Sequence, residues 1–278
     1  MKRLYDELSY AVSEATTKKY STSFSLGILA LHFSIRSAIY AIYGYVRLAD
    51  EIVDSFHEYD KPELLERFKT QTIQALDEGI SLNPILNSFQ ATVNNYSIDR
   101  RLIDQFLQSM KMDLTPLDYD SKLYHEYIFG SAEVVGLMCL QVFVEGNYTM
   151  YESLKPYAMK LGSAFQKINF LRDLKNDYQI LGRTYFPNIE MGTFNNVIKS
   201  QIEHEIEIEF KEAFSGIKKL PDSSRFGVYL AYKYYWTLFL KIKNTPVERI
   251  MNKRIRIPNG QKLSLAMTSY FQYRFALL

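Results

Sequence analysis

Apolar residues recur at helical spacing along almost the whole chain, and no stretch alternates with the period of two that a half-buried strand requires. The spacing predicts helices over Tyr5–Thr17, Ser34–Phe56, Pro62–Asp77, Pro84–Tyr96, Arg100–Met112, Lys122–Val144, Tyr151–Tyr178, Ser200–Ile217, Ser223–Ile242 and Leu263–Phe275. Turn chemistry agrees with these divisions. Asp60-Lys61-Pro62 caps and opens one helix, Pro84 and Pro116 fall at element edges, and Gly146-Asn147 closes the long central one. With 278 residues and 47% hydrophobic content the chain can bury a sizeable core. It contains no fixed-period repeat, low-complexity run or Pro/Ser-rich linker. The expectation is an all-α fold in a single domain over residues 1–278.

Two acidic pairs stand out from this background. ADEIVD places Asp50 and Asp54 four apart, and RDLKNDYQILGRTYFP places Asp173 and Asp177 at the same spacing beside Asn169. Residues four apart share one face of a helix, so each pair offers two carboxylates to one small volume. Such carboxylates repel unless a cation lies between them. Magnesium fits, because it is hard and commonly takes one or two carboxylates together with phosphate oxygens. A single acidic pair is more often a solvated helix face. Here each pair follows an apolar run, AIYAIYGYV or AFQKINFL, and each is mixed with cations, Arg47 near the first and Arg172, Lys175 and Arg183 around the second. Cations of this kind hold phosphate. The pattern predicts two facing helices whose carboxylates line the mouth of a shared cavity.

Composition removes several alternatives. The net charge of +2 comes from 33 basic residues scattered among 31 acidic ones, which gives nucleic acid no basic stripe to bind. Cys139 is the one cysteine, so neither an intrachain disulfide nor a cysteine-based zinc site can form, and its apolar surroundings predict a buried, inert thiol. The N-terminal MKRLYDELSYAVSEATTKKY lacks the apolar core of a signal peptide, and Val134–Val144 is shorter than the ~20 residues of a membrane span. The expectation is a cytoplasmic protein without a transmembrane anchor. The 22 tyrosines and 18 phenylalanines suit ordinary packing, and equally a site that holds a hydrocarbon and a carbocation against ring faces. The basic Lys253-Arg254-Ile255-Arg256 and the aromatic SYFQYRFALL tail suit either a last packed helix, the favoured reading, or peripheral contact with a membrane.

These residues carry a resemblance. YSTSFSLGILALHFSIRSAIYAIYGYVRLADEIVD, LGSAFQKINFLRDLKNDYQILGRTYFP and the intervening YIFGSAEVVGLM are similar to three signatures of the squalene and phytoene synthases, and the likeness runs from Tyr20 to about Arg256. It implies a single isoprenoid-synthase helical bundle around a central cavity. Ser21, Ser23, Phe24, Arg47, Gln166, Asn169, Arg172, Arg183 and Tyr185 would contact substrate, and the late Tyr235 and Arg254 correspond more loosely. Asp50, Asp54, Asn169, Asp173 and Asp177 would hold magnesium or manganese, and Tyr127 would stand in the cavity. The chain departs from the family at Glu133, where glycine is usual, at Tyr20, where many relatives have histidine, and by a missing proline in ALHFSIR. These changes touch the substrate pocket more than the acidic ligands.

The resemblance implies head-to-head condensation of two prenyl diphosphates. The phytoene synthase form would use geranylgeranyl diphosphate without NADPH, as the first committed step of carotenoid biosynthesis. The alternatives are dehydrosqualene or, with NADPH, squalene from farnesyl diphosphate, and a non-catalytic relative that keeps the fold. A eukaryotic-type squalene synthase would carry a C-terminal membrane anchor, and the GSAEVVGLM wording is closer to bacterial phytoene synthases. No side chain is an evident strong base, since His32, His57, His125 and His204 lie off the motifs, and released diphosphate is the expected proton acceptor.

Overall fold

The computed structural model describes residues 1–115, 119–179, 185–187 and 194–275, excluding the side chains of 176–179. Described elements are helical, with no strand among them. In chain order they are α1 (Lys2–Tyr20), α2 (Thr22–Leu29), α3 (Phe33–Asp54), α4 (Lys61–Glu78), α5 (Pro84–Tyr96), α6 (Arg100–Met112), α7 (Ser121–Ile128), α8 (Val134–Phe143), α9 (Tyr148–Gln179), α10 (Asn196–Ile217), α11 (Asp222–Lys243), α12 (Val247–Asn252) and α13 (Asn259–Arg274), with a π-helical turn, Phe129–Glu133, joining α7 to α8. Side-chain caps fix many of the starts: Asp60, Asn83, Asp99, Asp120 and Asn195 each accept a backbone N–H of the following turn. Glu145 and Gly146, at φ 52° and 79°, turn the chain out of α8. Pro116, the expected element edge after α6, lies outside the described residues.

Three differences from the sequence reading have physical causes. The expected helix Lys122–Val144 is divided by the π turn at Gly130, where a Cβ would lie 2.7 Å from the Ser109 Cβ and 2.8 Å from the Gln105 carbonyl oxygen of α6. Close crossing by α6 thus requires glycine there, and the extra residue of the π turn re-aims the side chains on either side. Helix α2 was not expected, because TSFSLGIL is apolar on nearly every side and shows no periodic contrast. Its place is set by Gly227 of α11, where a Cβ would lie 2.8 Å from the Gly27 carbonyl and 2.4 Å from Leu31 Cδ2. Helix α12 has six residues, too few for a period to register.

The helices close over two large apolar clusters. One surrounds α3, where Tyr45 stacks on Phe89 with ring centres 3.7 Å apart and packs near Phe106. The other lies between α9, α10 and α11 and contains Ile168, Phe210 and Phe239. The stretch Ser121–Phe143 is long and apolar enough to cross a membrane by length and composition, unlike the shorter run apparent in the sequence. It packs against α3, α6 and α9, and its middle is part of the apolar core. Cys139 on this stretch is half-buried, and burial pushes its thiol up to about 12.

The orientation of α9 is fixed by an internal ionic group. Lys167 Nζ lies 3.1 Å from Glu209 Oε1 and 3.2 Å from Glu205 Oε2 of α10, and Ser163 Oγ donates to Glu209 Oε1 at 2.9 Å. With Lys167 turned to α10, Asn169 two residues on must face the opposite side. Glu133, the departure in the central signature, belongs to this group. Burial and the charge of Glu209 push its carboxyl up to about 7, against the opposing fields of Lys160, Lys167 and His125.

Candidate active site

The last turns of α3 carry Arg47, Asp50, Glu51 and Asp54. Arg47 is bonded to Glu51, lies 4.3 Å from the centre of the Tyr20 ring, and keeps a buried Nε with no acceptor among the described residues. Tyr20 therefore places a ring face against the guanidinium. Asp50 is half-buried beside this pair. Burial and then Asp54 push its carboxyl up to about 7, Asp113 and Glu51 add to the effect, and Arg47 opposes it.

Helix α2 reaches this wall through its N-terminus. Ser21 Oγ accepts the Phe24 N–H at 3.2 Å, which starts the helix and turns Phe24 inward, and Ser23 is half-buried in the same turn. The Phe24 ring centre lies 5.6 Å from Tyr43 of α3 and 5.9 Å from Tyr235 of α11. Burial pushes the Tyr43 hydroxyl up to about 12, against a bond with Ser21 and the field of Arg47.

The opposite wall is α9. Asn169 Oδ1 accepts from the Tyr235 hydroxyl at 3.3 Å, Gln166 Oε1 lies 3.5 Å from Asn169 Nδ2, and Phe165 stacks on Tyr235 at 3.8 Å. Arg172 Nη2 donates to Asp173 Oδ2 at 2.5 Å, and Arg254, from the segment after α12, places Nε 2.7 Å from Asp173 Oδ1. Tyr235 and Arg254, the looser sequence correspondences, thus both meet α9 at Asn169 and Asp173. The Asp177 side chain and Arg183 lie outside the described residues.

Between the walls stands a carboxylate that sequence reasoning missed. Asp113, just past α6 and only 7% exposed, accepts from Tyr127 at 2.8 Å and from Tyr185 at 3.3 Å. Tyr185 in turn stacks on Phe170 of α9 at 4.3 Å. Asp113 therefore links the field around Asp50 to the rings packed on α9. A lone aspartate in KMDLT offers no spacing or partner signal by which it could have been found. The resemblance implied Tyr127 in the cavity, and in the structure its hydroxyl donates to Asp113. Burial and that carboxylate push its pKa well above the ordinary phenol value, so it keeps its proton at neutral pH. Its ring remains among Tyr119, Phe170 and Tyr185.

The donor set fits a hard divalent cation bound together with phosphate. Asp50 is crowded by like charge and by burial, and Arg47 holds an unused buried N–H, so one ligand that brings a cation and anionic oxygens satisfies both. Among the described residues no three acids or imidazoles are grouped closely enough to enclose a metal alone. Phosphate and water oxygens would complete such a shell, as is usual for magnesium.

Known proteins resemble this one in sequence, and others in fold. The sequence is 26% identical over 273 residues to phytoene synthase 1, chloroplastic, of Solanum lycopersicum, covering 91% of this chain and 65% of that protein. The chain thus spans just under two thirds of the length of that plant relative. It is 25% identical over 281 residues to phytoene synthase of Arthrospira platensis, covering 92% and 90%. Among solved structures, a dehydrosqualene synthase crystallised with a ligand superposes with a TM-score of 0.82 at 20% identity over 97% and 98% of the two chains. Squalene synthase HpnC from Alicyclobacillus acidocaldarius gives 0.75 at 17% over 86% and 95%. Both share the all-α fold. A family profile described as squalene/phytoene synthase matches residues 17–261, an interval that holds both acidic turns and the side chains between them, and the chain belongs to that family.

Proposed function

We propose that the protein is a phytoene synthase, a magnesium-dependent prenyltransferase that joins two geranylgeranyl diphosphates head to head. The observation that carries this reading is the pair of acidic turns on separate walls, each with arginine beside it and aromatic rings between. Phytoene synthases among the sequence relatives, one of them matched over nine tenths of its length, favour this member of the family. Asp50, Asp54, Asn169, Asp173 and Asp177 would hold the metal. When bound, magnesium supplies Lewis-acid neutralisation of the departing diphosphate.

The chain's own residues do the rest. Arg47 offers its unused Nε, Arg172 and Arg254 can exchange Asp173 for phosphate oxygens, and Ser21 and Ser23 lie at the start of α2, where anions are favoured. These donors are in place before charge develops on the leaving group, the arrangement that lowers a barrier most. Phe24, Tyr43, Phe165 and Tyr235 present ring faces that stabilise an allylic cation and do not trap it. The cation adds to the second substrate's double bond and proton loss closes a cyclopropylcarbinyl diphosphate. Departure of its diphosphate in the same site gives a cation that rearranges with opening of the three-membered ring, and a final proton loss yields phytoene. Tyr127, with its proton held, is not the base, and released diphosphate accepts the proton.

Purified protein is incubated with magnesium and geranylgeranyl or farnesyl diphosphate, with and without NADPH, and the extracted hydrocarbon is identified. Phytoene from the first substrate is expected. Dehydrosqualene or squalene from the second alone would overturn the substrate assignment and retain the reaction class, and no product from either would overturn both.

A further inference from the structure

Helix α13 packs with one face and leaves the other bare. Toward α11, Ser269 is fully buried, Tyr229 donates to Gln272 Oε1 at 3.1 Å, and Tyr234 donates to the Lys262 carbonyl at 3.0 Å. On the other side Leu263, Met267, Tyr270, Phe271 and Phe275 are 60, 58, 50, 54 and 70% exposed. Their spacing of four, three, one and four residues makes a single stripe about 18 Å long. The stripe continues into a shallow groove of about 400 Å³ between α2, α11 and α13, where Leu26, Leu29 and Leu230 meet Met267 and Phe271. A contiguous apolar surface of this kind marks an interaction site.

Charge selects the partner. From Lys253 to Phe275 the chain has Lys253, Arg254, Arg256, Lys262 and Arg274 and no acidic residue. Arg254 is engaged with Asp173, and Lys253, Arg256 and Arg274 are exposed. Lys241 of α11 joins the same group by donating to the Arg256 carbonyl at 2.7 Å. The three helices that wall the groove contain one acid, Asp222, which lies at the start of α11 and is paired with Arg225 at 2.9 Å. An apolar, aromatic helix face flanked by cations and nearly free of anions is complementary to an anionic bilayer, into which such helices sink by about 5–10 Å.

We propose that α13 and the groove beside it form a docking face for an anionic phospholipid membrane, with Met267 and Phe271 entering the acyl boundary and Arg256 and Arg274 meeting headgroups. Binding by this face is independent of the reaction assigned above. Phe24, on the same short α2, points into the active site while Leu26 and Leu29 line the groove. Docking here would hold the active-site wall within one helix diameter of the lipid.

The test is co-flotation of the full chain with vesicles of phosphatidylglycerol and phosphatidylcholine, or of phosphatidylcholine alone. Wild-type protein is expected to float with the anionic vesicles and to be released by raised salt. M267E/F271E, which alters exposed side chains only, is expected to weaken binding at least tenfold while its circular dichroism and melting curve stay unchanged. R256E/R274E should weaken it by about fivefold or more for each charge removed. Wild-type protein that stays in the soluble fraction with both vesicle types, or M267E/F271E that floats as well as wild type, would overturn the proposal. Sedimentation without lipid supplies a further check. A wild-type dimer that M267E/F271E converts to monomer would assign the face to a second copy of the chain and overturn it too.

Discussion

Asp50 on α3 and Asp173 on α9 occupy matching places in motifs of the same spacing, yet the fold treats them oppositely. Asp173 is held by two guanidinium groups, Arg172 from its own helix and Arg254 from the chain beyond α12. Asp50 is surrounded by Asp54, Asp113 and Glu51, and its nearest cation, Arg47, bonds to Glu51 instead. One wall supplies negative charge in excess, and the other supplies arginines already resting on an internal anion. A metal diphosphate suits the pair, since its cation relieves the first wall and its phosphate can take the arginines from the second. On the proposed reading the asymmetry implies an order of binding: the strained α3 side would gain most from a metal, while the α9 side would first have to give up an existing ion pair.

The sharpest way to break this comparison is Asp50→Asn. On the proposed reading turnover is expected to fall at least about a thousandfold, because the substitution would remove a carboxylate ligand of the metal that would neutralise the leaving group. The same change should stabilise the metal-free fold at alkaline pH. A carboxyl raised from 3.8 to about 7 holds its proton longer when folded than when unfolded, so its contribution is lost as pH rises from about 4 through 7. Metal-free wild type should therefore melt lower at pH 8 than at pH 6. Asp50→Asn should recover at most about 1 kcal/mol of the difference, a figure discounted for partial exposure. Glu133, also raised to about 7, contributes with the same sign, so Glu133→Gln should recover a further share without touching turnover. Melting curves in EDTA at the two pH values give the answer, and an Asp50→Asn protein no more stable than wild type at pH 8 would show that Asp50 is not under strain.

A smaller effect is expected on the other wall. Arg254→Gln leaves Arg172 on Asp173 and removes one of the two guanidinium groups described there. We expect kcat/KM to fall by about ten- to a hundredfold, the range for loss of a charge-assisted contact of about 1.5–3 kcal/mol. The melting temperature should barely change, because Arg254 is about half exposed and its ion pair contributes little to stability. Unchanged kinetics would make Arg254 a surface partner of Asp173 and leave Arg172 as the only described arginine on that wall.

Sequence reading located both acidic turns because their signal is local: two carboxylates at helical spacing behind an apolar run. What it could not supply came from contacts remote in the chain. That Asp173 is doubly clamped and Asp50 is not depends on where Arg254 returns, 81 residues beyond Asp173. Asp113 had no legible signature, since it works through tyrosines 14 and 72 residues away. Helix α2 was invisible because an apolar residue on every side carries no period, although its cap Ser21 and its ring Phe24 were both singled out. Glu133 read as a change in the substrate pocket, and only the rotation of α9 set by Lys167 shows that it belongs to the α9–α10 ionic group.

The smallest predicted effect tests what joins the two walls. Tyr127 donates to Asp113, the same carboxylate that raises Asp50, and its ring lies 5.1 Å from Tyr185, which is stacked on α9. Tyr127→Phe keeps the ring and removes a donor to a buried carboxylate. Asp113 would keep its bond from Tyr185, so the expected cost is about 1 kcal/mol of stability, toward the low end for a buried group that loses a partner. Turnover should stay within about threefold of wild type, because the ring face that steadies a cation remains. Denaturant melts and single-turnover kinetics separate the two effects. A loss of turnover above a hundredfold, with the melt unchanged, would mean that the hydroxyl leaves Asp113 to act on substrate. The Asp113 bridge would then be a resting arrangement, and the strain on Asp50 would have to be assigned to burial, Asp54 and Glu51.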